Sequence, residues 1–238
     1  FCDQIVACFQ ICEKLRMDRV IVESKDPLTL VGGGALSAGD LEAALALAPR
    51  LVAADGGAGA ALAAGYVPEA VIGDFDSLTA AMRAQLPEAS LFPLTEQDTT
   101  DFDKALRSIS APLVLGAGFL GGRADHQLAA FNVLVQPGRC PCILLGAREL
   151  VFHLTRETRL PVDAGDIVSL FPMQPVTARS KGLEWPLEGL MLSPSGRIGT
   201  SNRALGPAVV SPDGPGLLCM IPRRHLAALI PEVAQAPR

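Results

Sequence analysis

Six short apolar runs occur in the first 146 residues, and each ends in a turn rich in glycine, in acid or in both. They are "LTLV" (28–31), "RLVAAD" (50–55), "AVI" (70–72), "SLFPL" (90–94), "PLVLG" (112–116) and "CILLG" (142–146). Stretches of helical composition separate them: "SAGDLEAALALAP", "GGAGAALAAG", "LTAAMRAQL", "DFDKALRSI" and "ADHQLAAFNVLV". Parallel neighbours need long crossover connections, so a strand–helix–strand alternation of this kind folds as a parallel sheet with helices on both faces. Ser37 is placed to cap the first of these helices and Gly65 to stop the second.

After about residue 147 the pattern changes. "ELVFHL", "IVSLFPM", "GLEWPL", "GLMLSP", "AVVSP" and "GLLCMI" are short runs punctuated by Gly, Pro, Ser and Asn, without a long helical window. That is the pattern of a small antiparallel sandwich or barrel. The fold class expected is therefore α/β: a parallel-sheet α/β domain over residues 1–146, then an antiparallel β-sandwich or barrel domain over 147–238. Residues 1–25 precede the pattern and are expected to be an extension. No internal repeat or low-complexity linker separates the two parts, so they are expected to pack directly.

A net charge of −5 excludes general nucleic-acid binding, which needs a basic face. No run approaches the ~20 uninterrupted apolar residues of a membrane span. The opening "FCDQIVACFQICEKLRMDR" mixes acids and bases among its apolar residues and does not read as a secretory signal, so a cytoplasmic location is expected. The cysteines at 2, 8, 12, 140, 142 and 219 and the histidines at 126, 153 and 225 complete no zinc pattern. They read as reduced, mostly buried thiols.

Open parallel sheets bind ligands beyond the carboxyl ends of their strands. The segments at those ends are "GGG" (32–34), "DGGAG" (55–59), "GDFDS" (73–77), "TEQDTTDFDK" (95–104) and "GAGFLGGRADH" (116–126). Asp74 and Asp76 on their own could be solvated acids at a strand end. Taken with Asp55, Asp98, Asp101, Asp103 and Asp125 they would make an intensely negative cleft. Carboxylates at that density are tolerated when a cation bridges them, and an all-oxygen set suits Mg²⁺ with phosphate oxygens completing its shell. Glycines at 32–34 and 121–122 leave backbone N–H groups open to phosphate, and Lys104 and Arg123 supply positive charge. The binding set read from these loops comprises Gly33, Asp55, Gly56, Ser77, Asp98, Gly122 and His126.

The ordered set "DGGA", "GDFDS", "QDTTDFDKAL", "GGRADH", "GLEWPL" and "TSN" resembles the thiamine pyrophosphokinase family over roughly residues 28–221. The resemblance implies an α/β domain joined to a β domain, a homodimer, and transfer of a pyrophosphoryl group from ATP to thiamine with release of AMP. It implies that Asp74, Asp76 and Asp101 handle Mg²⁺ and pyrophosphate, with Thr100 and Lys104 as neighbouring phosphate contacts. Arg123 and Asp125 match the pair in the Gly-Gly-Arg-x-Asp-His motif, and either Asp101 or Asp125 would orient the attacking hydroxyl. Trp185, Ser201 and Asn202 match residues near thiamine, a cation that an indole face can hold. The alternative for Trp185, the only tryptophan, is a place in the sandwich core. Three rival functions stay open: a pyrophosphokinase for a pterin alcohol, an aspartate-dependent phosphatase, and a nucleotide sensor without turnover.

Overall fold

The computed structural model describes residues 20–235. Its first half contains β1 (Val22–Glu23), β2 (Leu28–Val31), β3 (Arg50–Ala54), β4 (Ala70–Gly73), β5 (Leu91–Pro93), β6 (Ile109–Ser110), β7 (Val114–Ala117) and β8 (Cys142–Leu145). Between them lie α1 (Asp40–Leu45), α2 (Gly57–Ala63), α3 (Ala80–Arg83), α4 (Asp101–Arg107) and α5 (Ala124–Leu134). Strands β5, β4, β3, β2, β7 and β8 stand side by side in that order, each neighbouring pair parallel. β2, β4, β7 and β8 are buried at every residue, as a sheet covered on both faces requires.

The second half is antiparallel: β9 (Glu149–Leu154), β10 (Thr158–Leu160), β11 (Ile167–Pro172), β12 (Val176–Leu183), β13 (Met191–Leu192), β14 (Gly199–Pro212) and β15 (Leu217–Pro222), followed by α6 (Leu226–Val233). The two halves do more than abut. β8 pairs antiparallel with β9, Ile143 opposite Phe152, so the sheet continues from one into the other. Leu113, Leu115 and Ile143 share one apolar cluster with Phe152, Leu170 and Val210. Ahead of α6, Arg223 meets Asp40 of α1 at 2.7 Å while His225 meets Asp166 at 2.7 Å, tying the chain end to both halves.

Local expectations fare unevenly. Gly65 takes a left-handed φ of 83° just past α2, the stop expected of it. Ser37 does not cap α1 with its hydroxyl. Its N–H instead donates to Asp40 Oδ2 at 2.8 Å, because a carboxylate at the first helical residue can reach back over the turn. Residues 1–19 lie outside the described residues, and with them Cys2, Cys8 and Cys12. Residues 20–25 are no loose extension: β1 pairs parallel with β6, and Val22 is buried in the core beneath α4 and α5. Cys140, Cys142 and Cys219 are buried thiols.

Candidate active site

Strand order reverses between β2 and β7, which opens a crevice at their carboxyl ends. Across it Gly32 N–H donates to Ala117 O at 2.8 Å and Gly34 N–H to Gly118 O at 2.9 Å, and Gly121 N–H donates to Gln127 Oε1 at 3.2 Å, so these three N–H groups are not open to phosphate as expected. The next turn is built by close approach. A Cβ on Gly57 would lie 2.1 Å from Val31 O, and one on Gly73 would lie 2.6 Å from Asp55 Cβ. Glycine at 73 therefore lets β4 press against Asp55, which ends β3 at 2% exposure.

Among the described residues, three that are not glycine have left-handed φ: Asp55 (38°), Phe75 (67°) and Ser201 (59°). Such backbone costs about 1–3 kcal/mol per residue and persists where surrounding structure imposes it. Here the imposing contacts are visible. Asp55 N–H donates to Ile72 O at 2.9 Å, and Asp55 Oδ1 accepts from Phe75 N–H at 2.8 Å. The strained Phe75 sits between Asp74 and Asp76, so the same bond aims both acids.

Carboxylate oxygens of Asp55, Asp74 and Asp76 lie within 4.8 Å of one another. Asp55 Oδ2 is buried and has no hydrogen-bond partner. A buried carboxylate oxygen without a donor, facing two more carboxylates, is what a hard cation with oxygen ligands would satisfy. Beside this trio Lys104 of α4, 2% exposed, places Nζ 2.9 Å from Asp74 Oδ2 and 3.0 Å from Asp101 Oδ1. The Lys104 hydrogen bond holds Asp74 below the usual carboxylate range. Burial pushes Asp101 upward in spite of the same ammonium. Burial pulls against the Lys104 cation too, yet the bonds to Asp74 and Asp101 keep its pKa above that of an ordinary lysine.

Other residues expected at the rim are spent elsewhere. Asp103 is not a cleft acid: it points into the protein and takes Arg139 on both oxygens, at 2.8 and 3.2 Å. Thr100 caps α4, its hydroxyl accepting from Asp103 N–H at 3.3 Å. Ser77 donates to Asp76 Oδ1 at 2.9 Å, and Asp98 is exposed. Gly33 and Gly56 approach each other, where a Cβ on Gly33 would lie 3.3 Å from Gly56 C. Gly122 and His126 are exposed beside Arg123 and Asp125, which are 73% and 63% exposed and pair at 2.6 Å. Arg123 holds the Asp125 carboxyl down to about 2. The structure brings Asp55, Asp74, Asp76, Asp101 and Lys104 together, whereas Asp103 turns to Arg139, Asp125 pairs with Arg123 and Asp98 is exposed. Glu96 and Arg139, which pair with Arg107 and Asp103 of α4, carry no sequence signal of their own.

In the antiparallel half the three expected residues form a second group. Buried Asn202 accepts from Trp185 N–H at 3.2 Å and donates to Trp185 O at 2.7 Å. Its strained neighbour Ser201 donates its N–H to Ser169 Oγ at 3.0 Å. Trp185 is 53% exposed and lines a cavity of about 210 Å³ with Ile198 and Asn202, so the core alternative is excluded.

These features define a class: a two-part α/β protein whose acidic, cation-ready rim suits phosphorylated ligands. Residues 41–144 match the family model for the thiamin pyrophosphokinase catalytic domain, and residues 152–214 match that for the thiamin pyrophosphokinase vitamin B1 binding domain. The chain belongs to the thiamin pyrophosphokinase family. It is 30% identical over 158 residues to thiamine pyrophosphokinase 1 of Oryza sativa subsp. japonica, a match covering 58% of this chain and 59% of the rice protein. Thiamin pyrophosphokinase from Candida albicans superposes with a TM-score of 0.71 at 15% identity, covering 86% of this chain and 93% of that one. The Geobacillus thermodenitrificans thiamin pyrophosphokinase gives 0.67 at 25% identity, covering 82% and 96%. No helix among the described residues is long and apolar enough to cross a membrane.

Proposed function

We propose that this chain transfers the pyrophosphoryl group of ATP to the hydroxyl of thiamine, giving thiamine diphosphate and AMP. The observation that carries the reading is the trio Asp55, Asp74 and Asp76, with an unpartnered buried oxygen on Asp55 and a buried lysine alongside. The trio suits Mg²⁺, which when bound would neutralise charge on the ATP phosphates. Asp101 adjoins the trio through Lys104. In the transfer the thiamine oxygen bonds to the β-phosphorus, and the bond from that phosphorus to the oxygen bridging it to the α-phosphorus breaks. AMP leaves with the bridging oxygen, and the hydroxyl proton passes to a carboxylate. Asp101 is the better placed for that proton, because it adjoins the trio and burial raises its pKa, whereas Arg123 holds the Asp125 carboxyl low. Lys104, and Arg123 from the exposed rim, offset the charge that builds on the leaving group.

Residues up to 146 serve ATP and Mg²⁺, and residues from 147 onward serve thiamine and pairing of subunits. The exposed apolar side chains Trp185, Met191, Ile198 and Leu205 of the antiparallel half support a homodimer formed there. Buried thiols suit the reducing cytoplasm.

Incubation with ATP, Mg²⁺ and thiamine should yield AMP and thiamine diphosphate in equal amounts. ADP with a monophosphorylated acceptor would overturn the reaction type. Phosphate released without an acceptor would favour a phosphatase, turnover of a pterin alcohol in place of thiamine another pyrophosphokinase, and ATP binding with no AMP a sensor.

Trp185 gives a separate test. A cation over an indole gains about 0.5–2 kcal/mol, so Trp185→Ala should raise KM for thiamine several-fold and leave KM for ATP unchanged. Half exposed as it is, the residue should contribute little to Tm. Thiamine should quench its fluorescence, and a flat titration at saturating thiamine would remove Trp185 from the site.

A further inference from the structure

Helix α4 reads "DFDKALR": four of its seven residues are charged, yet Asp103, Lys104 and Arg107 are buried. Buried charges are tolerated when each has a partner, and here each does. Lys104 lies between Asp74 and Asp101, and Arg107 meets Glu96 in the preceding loop. Asp103 receives the forked guanidinium of Arg139, Nε on Oδ1 at 2.8 Å and Nη2 on Oδ2 at 3.2 Å. Arg139 comes from the loop after α5. That loop is itself pinned beside β6: Cys140 Sγ donates to Ile109 O at 2.8 Å and accepts from Ala111 N–H at 3.4 Å. The fork therefore joins α4 to a fixed point at some remove from the acids.

Geometry makes the rotation of α4 matter. Successive helical residues are turned by about 100°, so Asp103 and Lys104 face different sides of one short helix. A helix of two turns is only marginally stable by itself, and a roll that frees Asp103 would withdraw Lys104 Nζ from Asp74. We propose that Arg139 is a positioning residue whose fork on Asp103 sets the rotation of α4 and so seats Lys104 between Asp74 and Asp101. A bidentate guanidinium suits this task because it fixes orientation as well as distance. The consequence for turnover rests on the pyrophosphoryl-transfer reading, whereas the seating of Lys104 does not.

The test compares Arg139→Gln, Arg139→Lys and the double variant Arg139→Gln/Asp103→Asn with the parent chain. Misplacing a reacting group by about 1 Å can cost ~10²-fold in rate. Arg139→Gln should lower kcat for AMP formation about tenfold or more, with KM for thiamine within about twofold. Arg139→Lys, which keeps charge but not the fork, should fall between. The double variant removes the stranded carboxylate and should recover part of the loss. Independently of activity, acylation of lysines read by mass spectrometry should show Lys104 labelled faster in Arg139→Gln, relative to exposed Lys25 and Lys181. A variant with lowered Tm but unchanged kcat and unchanged Lys104 labelling would overturn the proposal, leaving the fork a brace of the fold alone. If the parent chain forms no AMP, the functional reading fails, and the labelling ratio still decides the role of Arg139.

Discussion

Asp74→Asn should lower turnover by at least about 10²-fold while the protein stays folded. The substitution keeps the shape of the side chain and removes its charge, and two consequences follow at one place. An amide is a much poorer ligand for a hard cation than a carboxylate, so the trio with Asp55 and Asp76 is weakened. Asp74 Oδ2 is also one of the two acceptors of Lys104, at 2.9 Å, so the buried ammonium would be left to Asp101. Removing a single preorganised electrostatic contact in an active site costs about 10²–10³-fold in kcat. Folding should survive because relieving a crowd of like charges weakens no core. Asp76→Asn should also lose turnover heavily, but Asp76 is exposed and bonds Ser77 rather than Lys104. Raising Mg²⁺ should therefore rescue Asp76→Asn better than Asp74→Asn. AMP formation across a Mg²⁺ series, with a thermal melt of each variant, measures both points. Near-parental turnover of Asp74→Asn at saturating Mg²⁺ would end the assignment of this cluster to the reaction.

The parallel sheet was legible because its evidence is local. A strand buried on both faces must be largely apolar, and the runs of β2, β4, β7 and β8 show that within their own few residues. Gly65 was legible for the same reason, since a left-handed stop is a property of one residue. The join between halves was not: the pairing of Ile143 with Phe152 depends on register across a turn, and nothing in "CILL" or "ELVFHL" specifies it. The acids divided likewise. Asp55, Asp74 and Asp76 could be collected because each follows a strand, and strand ends of a parallel sheet converge. Asp103 was misread because helical position, not proximity in sequence, decides its direction. Its partner Arg139 lies 36 residues away in an unremarkable loop. Trp185 needed the structure as well, since a tryptophan between two short runs fits a core as readily as a surface. The strained backbone of Asp55, Phe75 and Ser201 marks the same two groups from independent evidence.

Lys104→Met should reduce both turnover and stability, and its pH dependence should separate the two causes. The side chain is 2% exposed and sits between two carboxylates, so methionine fills the space but leaves Asp74 and Asp101 uncompensated beside Asp55 and Asp76. Breaking a buried ion pair on one side costs about 3–5 kcal/mol. Asp101 is 39% exposed, so water takes part of its charge, and the loss should fall at or below the lower end of that range. In the parent chain Lys104 holds the Asp74 pKa below that of an unfolded carboxylate. Such a group stabilises the fold above its unfolded pKa and loses that contribution as pH falls through its folded value. A thioether in place of the ammonium could not supply it at any pH, so the Tm gap between parent and Lys104→Met should persist down to about pH 4 and shrink by about pH 3, below the ordinary carboxylate pKa. A divalent cation can take over the role of the missing ammonium, so added Mg²⁺ should raise the Tm of Lys104→Met more than that of the parent. Turnover has no such substitute, because a cation balancing Asp74 and Asp101 would not restore the ammonium that offsets charge on the leaving group. AMP formation should therefore stay at least about 10²-fold low across the Mg²⁺ series that restores Tm. Equal Tm gaps at both pH values, or recovery of turnover in step with Tm, would show that Lys104 acts only as a brace between α4 and β4.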